Sequence, residues 1–324
     1  MPTQLYASVN GTRLCYFERG ERTDTRPSLL FAHCTGFHAR VWDFIIDQLP
    51  DQHTIALDLR GHGRSEGEPV TTWRTFSDDI ATFLAELNLQ RVIGIGHSMG
   101  AHAMVGAGAS AGRFASLVLC DPSIAAPEAY GAPADPSKAS VIDQIAKRRS
   151  RFNSPAAMRD RLLGRGSYSL FESKMLDDYC EHGLIATGEG DYRLACDPTF
   201  EASVYRAARA CTGIYDSVRA LTIPVHILRA KTPPPGPRKM DFTTSPTWPK
   251  LVEQFQHGSE EWLKDCSHFI PMQMPDKVLA ATRRAIEAWR PVHAVEKCAP
   301  TCSPSLKRRL GPAKSADSDT GQLA

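Results

Sequence analysis

One serine stands between two glycines directly after a run of β-branched residues, in the stretch VIGIGHSMG over residues 92–100. The segment Gly96-His97-Ser98-Met99-Gly100 fits the pattern G-x-S-x-G, which has meaning where a strand precedes it and a helix follows it. Such a turn presents the serine hydroxyl at the N-terminus of the helix, where free N–H groups favour developing negative charge. Side chains at the two glycines would crowd the neighbouring strand and helix. The pentapeptide alone also fits an ordinary glycine-rich turn with an incidental serine.

A second loop, earlier in the chain, has the place that a reactive serine requires. The stretch AHCTG over residues 32–36 ends a predicted strand about 65 residues before Ser98. A fold that uses this serine for acyl transfer needs a second donor to the oxyanion there. We expect Cys34 to be a small packing residue and His33 to support the loop by hydrogen bonding. The two motifs, in this order, favour a reactive serine over an incidental one.

The elements that must position these motifs alternate between strand and helix over the first 120 residues. Asn10-Gly11 between two apolar runs is a strong hairpin signal. Further strands are predicted over residues 29–34, 53–59, 91–96 and 116–120. Helices are predicted over residues 39–49, 71–89 and 99–112. This alternation predicts an α/β fold with an open, mostly parallel, doubly wound sheet.

The rest of the chain falls into three parts. Residues 123–218 have polar amphipathic helix patterns without a convincing buried strand, which predicts a helical cap or lid inserted into the fold. Strand character returns at LTIPVHILRA, so residues 1–122 and 219–290 are predicted to form one core that ends in a helix. From 291 to 324 no apolar periodicity survives, and a disordered C-terminal tail is expected.

Composition limits the partners and the compartment. The formal net charge is +2, from 38 basic and 36 acidic residues, so neither nucleic acid nor an anionic surface is expected as a general partner. The nine cysteines are scattered and include no C-x-x-C pair, which argues against a disulfide framework and a zinc site. No stretch approaches the roughly 18 apolar residues of an integral membrane segment, and the start lacks a signal-peptide pattern. The expected location is cytoplasmic, and no metal is expected.

The sequence resembles the α/β-hydrolase superfamily over residues 5–290, on the stretches FAHCTGFH, DLRGHGRS, GHSMG, LVLCDP and DCSHFIPMQMP. HCTGFHARVW and LACDPTFEA resemble a capped subgroup of serine esterases and lipase-like proteins. The resemblance implies Ser98 as nucleophile, with the backbone N–H groups of Met99 and Thr35 as the oxyanion hole. It also implies His268 as general base, because the superfamily order is Ser, acid, His. No cofactor is implied. Cys34 departs from the glycine that many relatives have there.

The acid of the triad is the point at which the chain departs most from the resemblance. Relatives usually supply an aspartate shortly after the strand that follows the cap, where this chain has Thr232 and Pro233. Asp121, at the tip of the strand LVLC, and Asp241, in the proline-rich loop, are the two alternatives. Asp121 is preferred because a strand tip holds a carboxylate more rigidly than a loop does.

Two features of the cap have both an ordinary and a functional interpretation. Its aromatic residues, Phe152, Tyr168, Phe171, Tyr179 and Phe200, fit an apolar acyl pocket, but a small core of the cap itself is the preferred interpretation. The basic run over residues 147–151 fits the binding of an anionic substrate, but a solvated helix face is preferred.

The function that the sequence favours is a serine hydrolase that cleaves a carboxylic ester of a small to medium apolar substrate through an acyl-enzyme. Cleavage of carbon–carbon or thioester bonds, and acyl transfer or perhydrolysis, are alternatives on the same site. A hypothesis of another class is a non-catalytic binding protein or receptor that keeps the pocket. The expected partner is a small-molecule ester, and the sequence predicts no oligomeric state.

Overall fold

The computed structural model describes residues 1–131, 136–234 and 242–291. The strands are β1 Thr3–Val9, β2 Thr12–Arg19, β3 Ser28–Ala32, β4 His53–Leu57, β5 Val92–His97, β6 Phe114–Cys120, β7 Arg151–Phe152, β8 Leu184–Ala186, β9 Tyr192–Leu194, β10 Val225–Arg229 and β11 Gly258–Trp262. The α-helices are α1 Asp43–Ile46, α2 Arg74–Glu86, α3 Met99–Ala111, α4 Pro136–Ala146, α5 Pro155–Leu162, α6 Ser173–His182, α7 Pro198–Ala207, α8 Ile214–Ala220, α9 Ile270–Gln273 and α10 Pro275–Ala288.

Eight of the strands form the central sheet, in the order β1-β2-β4-β3-β5-β6-β10-β11. The β1–β2 and β2–β4 pairs are antiparallel, and the other pairs are parallel. The hairpin predicted at Asn10-Gly11 joins β1 to β2, and Asn10 takes the positive φ that such a turn needs. The mostly parallel, doubly wound α/β fold is confirmed.

Side chains of the sheet alternate between two hydrophobic clusters. Leu30 and Ala32 of β3 belong to a cluster that includes α2 and α3, whereas Leu29 and Phe31 belong to a cluster that includes α10. This alternation follows from the two-residue period of a strand. All residues of β3, β4 and β5 are buried, as expected where helices cover both faces of a parallel sheet. Burial of each such leucine or phenylalanine side chain contributes about 1.5–3 kcal/mol to the free energy of unfolding.

The segment over residues 123–218 contains helices α4 to α7 and the start of α8, as well as a second sheet. In that sheet β7, β9 and β8 pair antiparallel, in this order. The sequence analysis found no convincing buried strand in this segment, and these strands are partly exposed and, with two or three residues each, too short to show an alternating pattern. The name cap is used below for residues 123–218.

The C-terminal edge of the parallel strands brings distant parts of the chain together. Ser98 directly follows β5, Asp121 directly follows β6, and His268 lies between β11 and α9. Because β5 and β6 are neighbours in the sheet, their ends meet at one edge. The predicted tail falls almost wholly outside the described residues. None of the helices within the described ranges is long and apolar enough to cross a bilayer.

Candidate active site

Ser98 stands at the sharp turn between β5 and α3. Its φ is 55° and its ψ is −113°, a backbone conformation that a residue with a side chain rarely adopts and that costs about 1–3 kcal/mol. The turn stays in place because the Ser98 N–H donates to the Cys120 carbonyl at 3.0 Å. A Cβ atom on Gly100 would lie 2.5 Å from the backbone oxygens of Ala32 and His33. Glycine at this position therefore lets α3 start directly against β3.

Three of the side chains that the sequence singles out meet at this turn. The Ser98 Oγ lies 2.9 Å from Nε2 of His268, and Nδ1 of His268 lies 2.6 Å from Oδ2 of Asp121. Ser98, His268 and Asp121 are 6%, 3% and 0% exposed. The three groups form one continuous line of hydrogen bonds in an environment with little water.

The carboxylate of Asp121 is held by four hydrogen bonds. While Oδ2 faces His268, Oδ1 accepts from the Ala230 N–H at 3.0 Å, from Ser245 Oγ at 2.5 Å and from Thr247 Oγ1 at 3.0 Å. The residue has a φ of 45°, a left-handed conformation that aspartate tolerates better than most residues. These bonds keep a fully buried carboxylate in a single orientation.

Ser245 and Thr247 have no counterpart in the sequence analysis. They belong to the loop after β10, where no periodicity or motif marks them, and only the fold brings them to Asp121. Asp241, the alternative acid, lies outside the described residues.

His97 supports the loop that contains His268. Its Nε2–H donates to the His268 carbonyl at 2.8 Å. Burial, with the neighbouring charge of His268, holds the pKa of His97 well below its usual range, so its ring is neutral. The His268 N–H in turn donates to the Phe242 carbonyl at 3.1 Å. His268 is thus oriented by its backbone as well as by Asp121.

The two predicted oxyanion donors lie next to each other. The Thr35 hydroxyl contacts the sulfur of Met99 at 3.4 Å, and both residues are buried. Within the described ranges, neither the Thr35 nor the Met99 backbone N–H donates a hydrogen bond to the protein. Free N–H groups beside a buried hydroxyl suit the stabilisation of a negatively charged oxygen.

His33 and Asp58 shape the loop that contains Thr35. His33 donates from Nδ1 to the Cys34 carbonyl at 2.8 Å and accepts at Nε2 from the Leu59 N–H at 3.0 Å. Burial keeps the pKa of His33 well below its usual range, so the ring keeps this neutral tautomer. Asp58 accepts from the Ala39 N–H at 2.6 Å, and burial raises its pKa to about 6. Both residues have structural contacts and no contact with Ser98.

A cavity of about 430 Å³ opens beside Ser98, within the range typical of small-molecule sites. Its lining residues from outside the cap are Cys34, Thr35, Gly36, Phe37, Ser98, Phe242, His268 and Phe269. Its lining residues from the cap are Ile145, Arg148, Arg161, Leu162, Arg165, Gly166, Ser167, Tyr168, Tyr179, Glu201 and Tyr205. The cap therefore supplies more of the walls than the sheet does.

The aromatic residues of the cap divide into two groups. Tyr168 and Tyr179 line the cavity, and the Phe37 ring packs against Tyr179 with centroids 4.7 Å apart. Phe152, Phe171 and Phe200 belong to the hydrophobic core. The preferred prediction, a small core of the cap's own, is therefore not what the structure shows, because the three phenylalanines join the two clusters that contain the central sheet.

Arg148 corrects a second prediction. Instead of lying on a solvated helix face, it lines the cavity, and its Nη2 lies 2.6 Å from Oε2 of Glu201. Burial raises the pKa of Glu201, and the charge of Arg148 opposes this rise. Burial is the largest influence on Arg148 and disfavours the charged guanidinium, but Glu201, Tyr179, Tyr168 and Cys196 together outweigh it, so the pKa of Arg148 is raised. Glu201 also lies against the loop that contains Thr35 and Gly36, since a Cβ atom on Gly36 would lie 2.6 Å from its Oε1.

Comparison with known proteins places this chain in a family. The chain matches the model of the alpha/beta hydrolase family over residues 29–281. Lipase LipV of Mycobacterium tuberculosis (strain ATCC 25618 / H37Rv) is 26% identical over 260 residues, which are 79% of this chain and 91% of the relative. N-formylmaleamate deformylase of Pseudomonas putida is 34% identical over 135 residues, 40% of this chain and 48% of the relative.

The fold is shared with solved structures. The crystal structure of E-2-(acetamidomethylene)succinate hydrolase has a TM-score of 0.70 and 22% identity, with 89% of this chain and 100% of that chain covered. Likeness at this identity shows the fold. The chain belongs to the α/β hydrolase family, and its relatives include lipases.

Proposed function

We propose that the protein is a serine hydrolase that cleaves a carboxylic ester of a small to medium substrate through an acyl-enzyme. The observation that carries this proposal is the line of hydrogen bonds from Ser98 through His268 to Asp121. This arrangement of hydroxyl, imidazole and carboxylate activates a serine for acyl transfer on several unrelated folds.

In the first step, the Ser98 Oγ attacks the ester carbonyl carbon while Nε2 of His268 takes the hydroxyl proton. Asp121 accepts a hydrogen bond from the Nδ1–H of His268. This bond leaves the Nε2 lone pair free for the serine proton and stabilises the imidazolium that forms. The Met99 and Thr35 N–H groups hold the oxyanion of the tetrahedral intermediate. His268 then gives its proton to the leaving alcohol, and the acyl group stays on Ser98.

In the second step, His268 takes a proton from water, and the resulting nucleophile attacks the acyl-enzyme. The same N–H groups hold the second oxyanion. The bond to Oγ breaks, His268 returns the proton to Ser98, and the carboxylic acid leaves. Each proton that leaves the serine is thus restored, and water is the only further reactant.

The names of the relatives support a hydrolase and differ in the type of bond that is hydrolysed. One is named a lipase and another a deformylase, so the type of hydrolysed bond varies among proteins related to this chain. The aromatic wall formed by Phe37, Tyr168 and Tyr179 favours a substrate with an apolar part, and the cavity volume limits it to small or medium size.

The test is labelling with a fluorophosphonate together with hydrolysis of p-nitrophenyl esters of increasing chain length. We expect wild type to be labelled and to hydrolyse the shorter esters, and Ser98→Ala to do neither. Ser167→Ala is the matched control, because Ser167 also lines the cavity and its hydroxyl is not bonded to His268. An unlabelled wild type would contradict the proposal and favour the binding-protein hypothesis. Labelling that persists in Ser98→Ala would exclude Ser98 as the nucleophile.

A further inference from the structure

The charged side chains around the cavity are mostly positive. Among the described residues that line it, three are arginines and one is a glutamate, namely Arg148, Arg161, Arg165 and Glu201. These four residues give the described lining a surplus of two positive charges, although the whole chain has a formal net charge of only +2 spread over 324 residues. Positive charge concentrated at a concave site attracts anions far more effectively than the same charge scattered over a surface.

The three arginines are not equivalent. Arg148 is neutralised by Glu201, whereas the guanidinium groups of Arg161 and Arg165 make no ion pair and no hydrogen bond within the described part of the chain. Arg159, on the same helix as Arg161, does pair with a carboxylate, that of Asp177. The surplus charge thus belongs to Arg161 and Arg165.

These two arginines and the serine differ in their exposure to solvent. Arg161 and Arg165 are exposed, so they lie at its mouth, whereas Ser98 is 6% exposed and lies at its inner end. Between them the walls are aromatic, with Tyr168 and Tyr179 in contact at a centroid distance of 5.5 Å. A ligand that fills this space has its reactive group inside and a charged group outside.

We propose that the substrate of Ser98 carries a carboxylate, which Arg161 and Arg165 bind at the mouth of the cavity. The planar fork of a guanidinium matches the two oxygens of a carboxylate and forms strong, charge-assisted hydrogen bonds with it. Arg148, paired with Glu201, lines the same cavity. This inference rests on the hydrolase function proposed above and adds a charged group to the apolar substrate that the sequence predicts.

The test compares two esters of equal chain length, the p-nitrophenyl monoester of glutaric acid and p-nitrophenyl valerate, which differ in the terminal carboxylate. We expect wild type to prefer the glutarate monoester in kcat/KM. In Arg161→Gln/Arg165→Gln the ratio of the two kcat/KM values falls by about tenfold, mainly through KM. High salt lowers the preference as well, because both arginines are exposed.

The matched control is Arg149→Gln/Arg193→Gln, which removes the same two charges from exposed positions of the cap that do not line the cavity. Its ratio should stay within about twofold of wild type, since screening in water weakens charges at a distance. An unchanged ratio in Arg161→Gln/Arg165→Gln, or an equal fall in the control, would overturn the inference while ester hydrolysis stands.

A binding measurement separates the inference from the proposed function. If neither ester is hydrolysed, the ester hydrolase proposal fails, and calorimetric titration with glutarate decides the carboxylate site by itself. Binding to wild type that weakens in Arg161→Gln/Arg165→Gln, with no binding of the neutral glutaramide, supports the site. Equal binding of glutarate and glutaramide, or no binding of either, overturns it.

Discussion

Two buried carboxylates next to the same cavity are held in different ways. Asp121, at the edge of the central sheet, accepts four hydrogen bonds, from Ala230, Ser245, Thr247 and His268. Glu201, in the cap, is 6% exposed and has one ion pair, with Arg148. The sheet edge thus orients its carboxylate from several directions, whereas the cap relies on one contact between two of its own segments.

This difference teaches where precision is needed in such a molecule. Of the groups proposed for chemistry, Ser98 and Asp121 directly follow strands that the sheet anchors, and His268 lies on the loop between β11 and α9, where Asp121 and His97 orient it. The groups proposed to contact the substrate sit on short helices and turns, whose arrangement can vary without disturbing the line from Ser98 to Asp121. The same division is consistent with relatives that share the fold and are named for different reactions.

The largest expected effect tests the sheet edge. Asp121→Asn places an amide opposite Nδ1 of His268, which favours the wrong tautomer, so we expect kcat for a p-nitrophenyl ester to fall by about 10⁴-fold. Ser245→Ala is the control, because it removes one hydrogen bond of Asp121 and keeps the carboxylate. Its effect should be about tenfold. A fall of less than tenfold in Asp121→Asn would show that another residue is the acid and would return attention to Asp241.

An intermediate effect tests the cap. Glu201→Gln leaves the guanidinium of Arg148 without its partner, and we expect the free energy of unfolding in urea to fall by about 1–3 kcal/mol. Arg148 is partly exposed, which keeps the effect below that of a fully buried pair. The double variant Arg148→Gln/Glu201→Gln should recover part of the loss, since neither charge is then left alone. Strictly additive single and double variants would show that the pair contributes no coupling.

The smallest effect at neutral to alkaline pH is expected for His102, a polar side chain inside the hydrophobic core. His102 of α3 is fully buried against Trp73, and neither of its ring nitrogens has a hydrogen bond within the described residues. Burial lowers its pKa to about 3, so the unfolded chain takes up a proton below pH 6.5 that the folded protein refuses until about pH 3. The stability that depends on neutral His102 is therefore lost as the pH falls from 6.5 towards 3.

Replacing His102 should remove both the cost of burying unsatisfied ring nitrogens and the loss of stability at low pH. His102→Leu is expected to raise the free energy of unfolding by about 1 kcal/mol at pH 8, because no unsatisfied polar group is left buried. At pH 5 the gain should be about 2 kcal/mol larger than at pH 8. Urea denaturation at the two pH values measures both, with the exposed His257→Leu as control. A gain that does not depend on pH would show that the pKa of His102 is the same in the folded and the unfolded protein.

Local patterns allowed much of the fold to be predicted. The strand, turn and helix around Ser98 could be predicted because glycine spacing, β-branched runs and helical periodicity are all local properties of a chain. The cap strands could not, since β7 has only two residues and no period can be seen in it. The sequence favoured a solvated face for Arg148, because nothing in a basic run indicates which of its side chains pairs with a buried glutamate.

The sequence by itself determined the fold class and the turn that presents Ser98, and it was enough to single out His268 and two candidate acids. Only the tertiary structure decided that Ser245 and Thr247 orient Asp121, and that Arg161 and Arg165 line the cavity without an ion pair among the described residues. The physical reason is distance along the chain. Asp121 and Ser245 are 124 residues apart, and a contact of that kind depends on how the sheet and the loops pack, which no local pattern records.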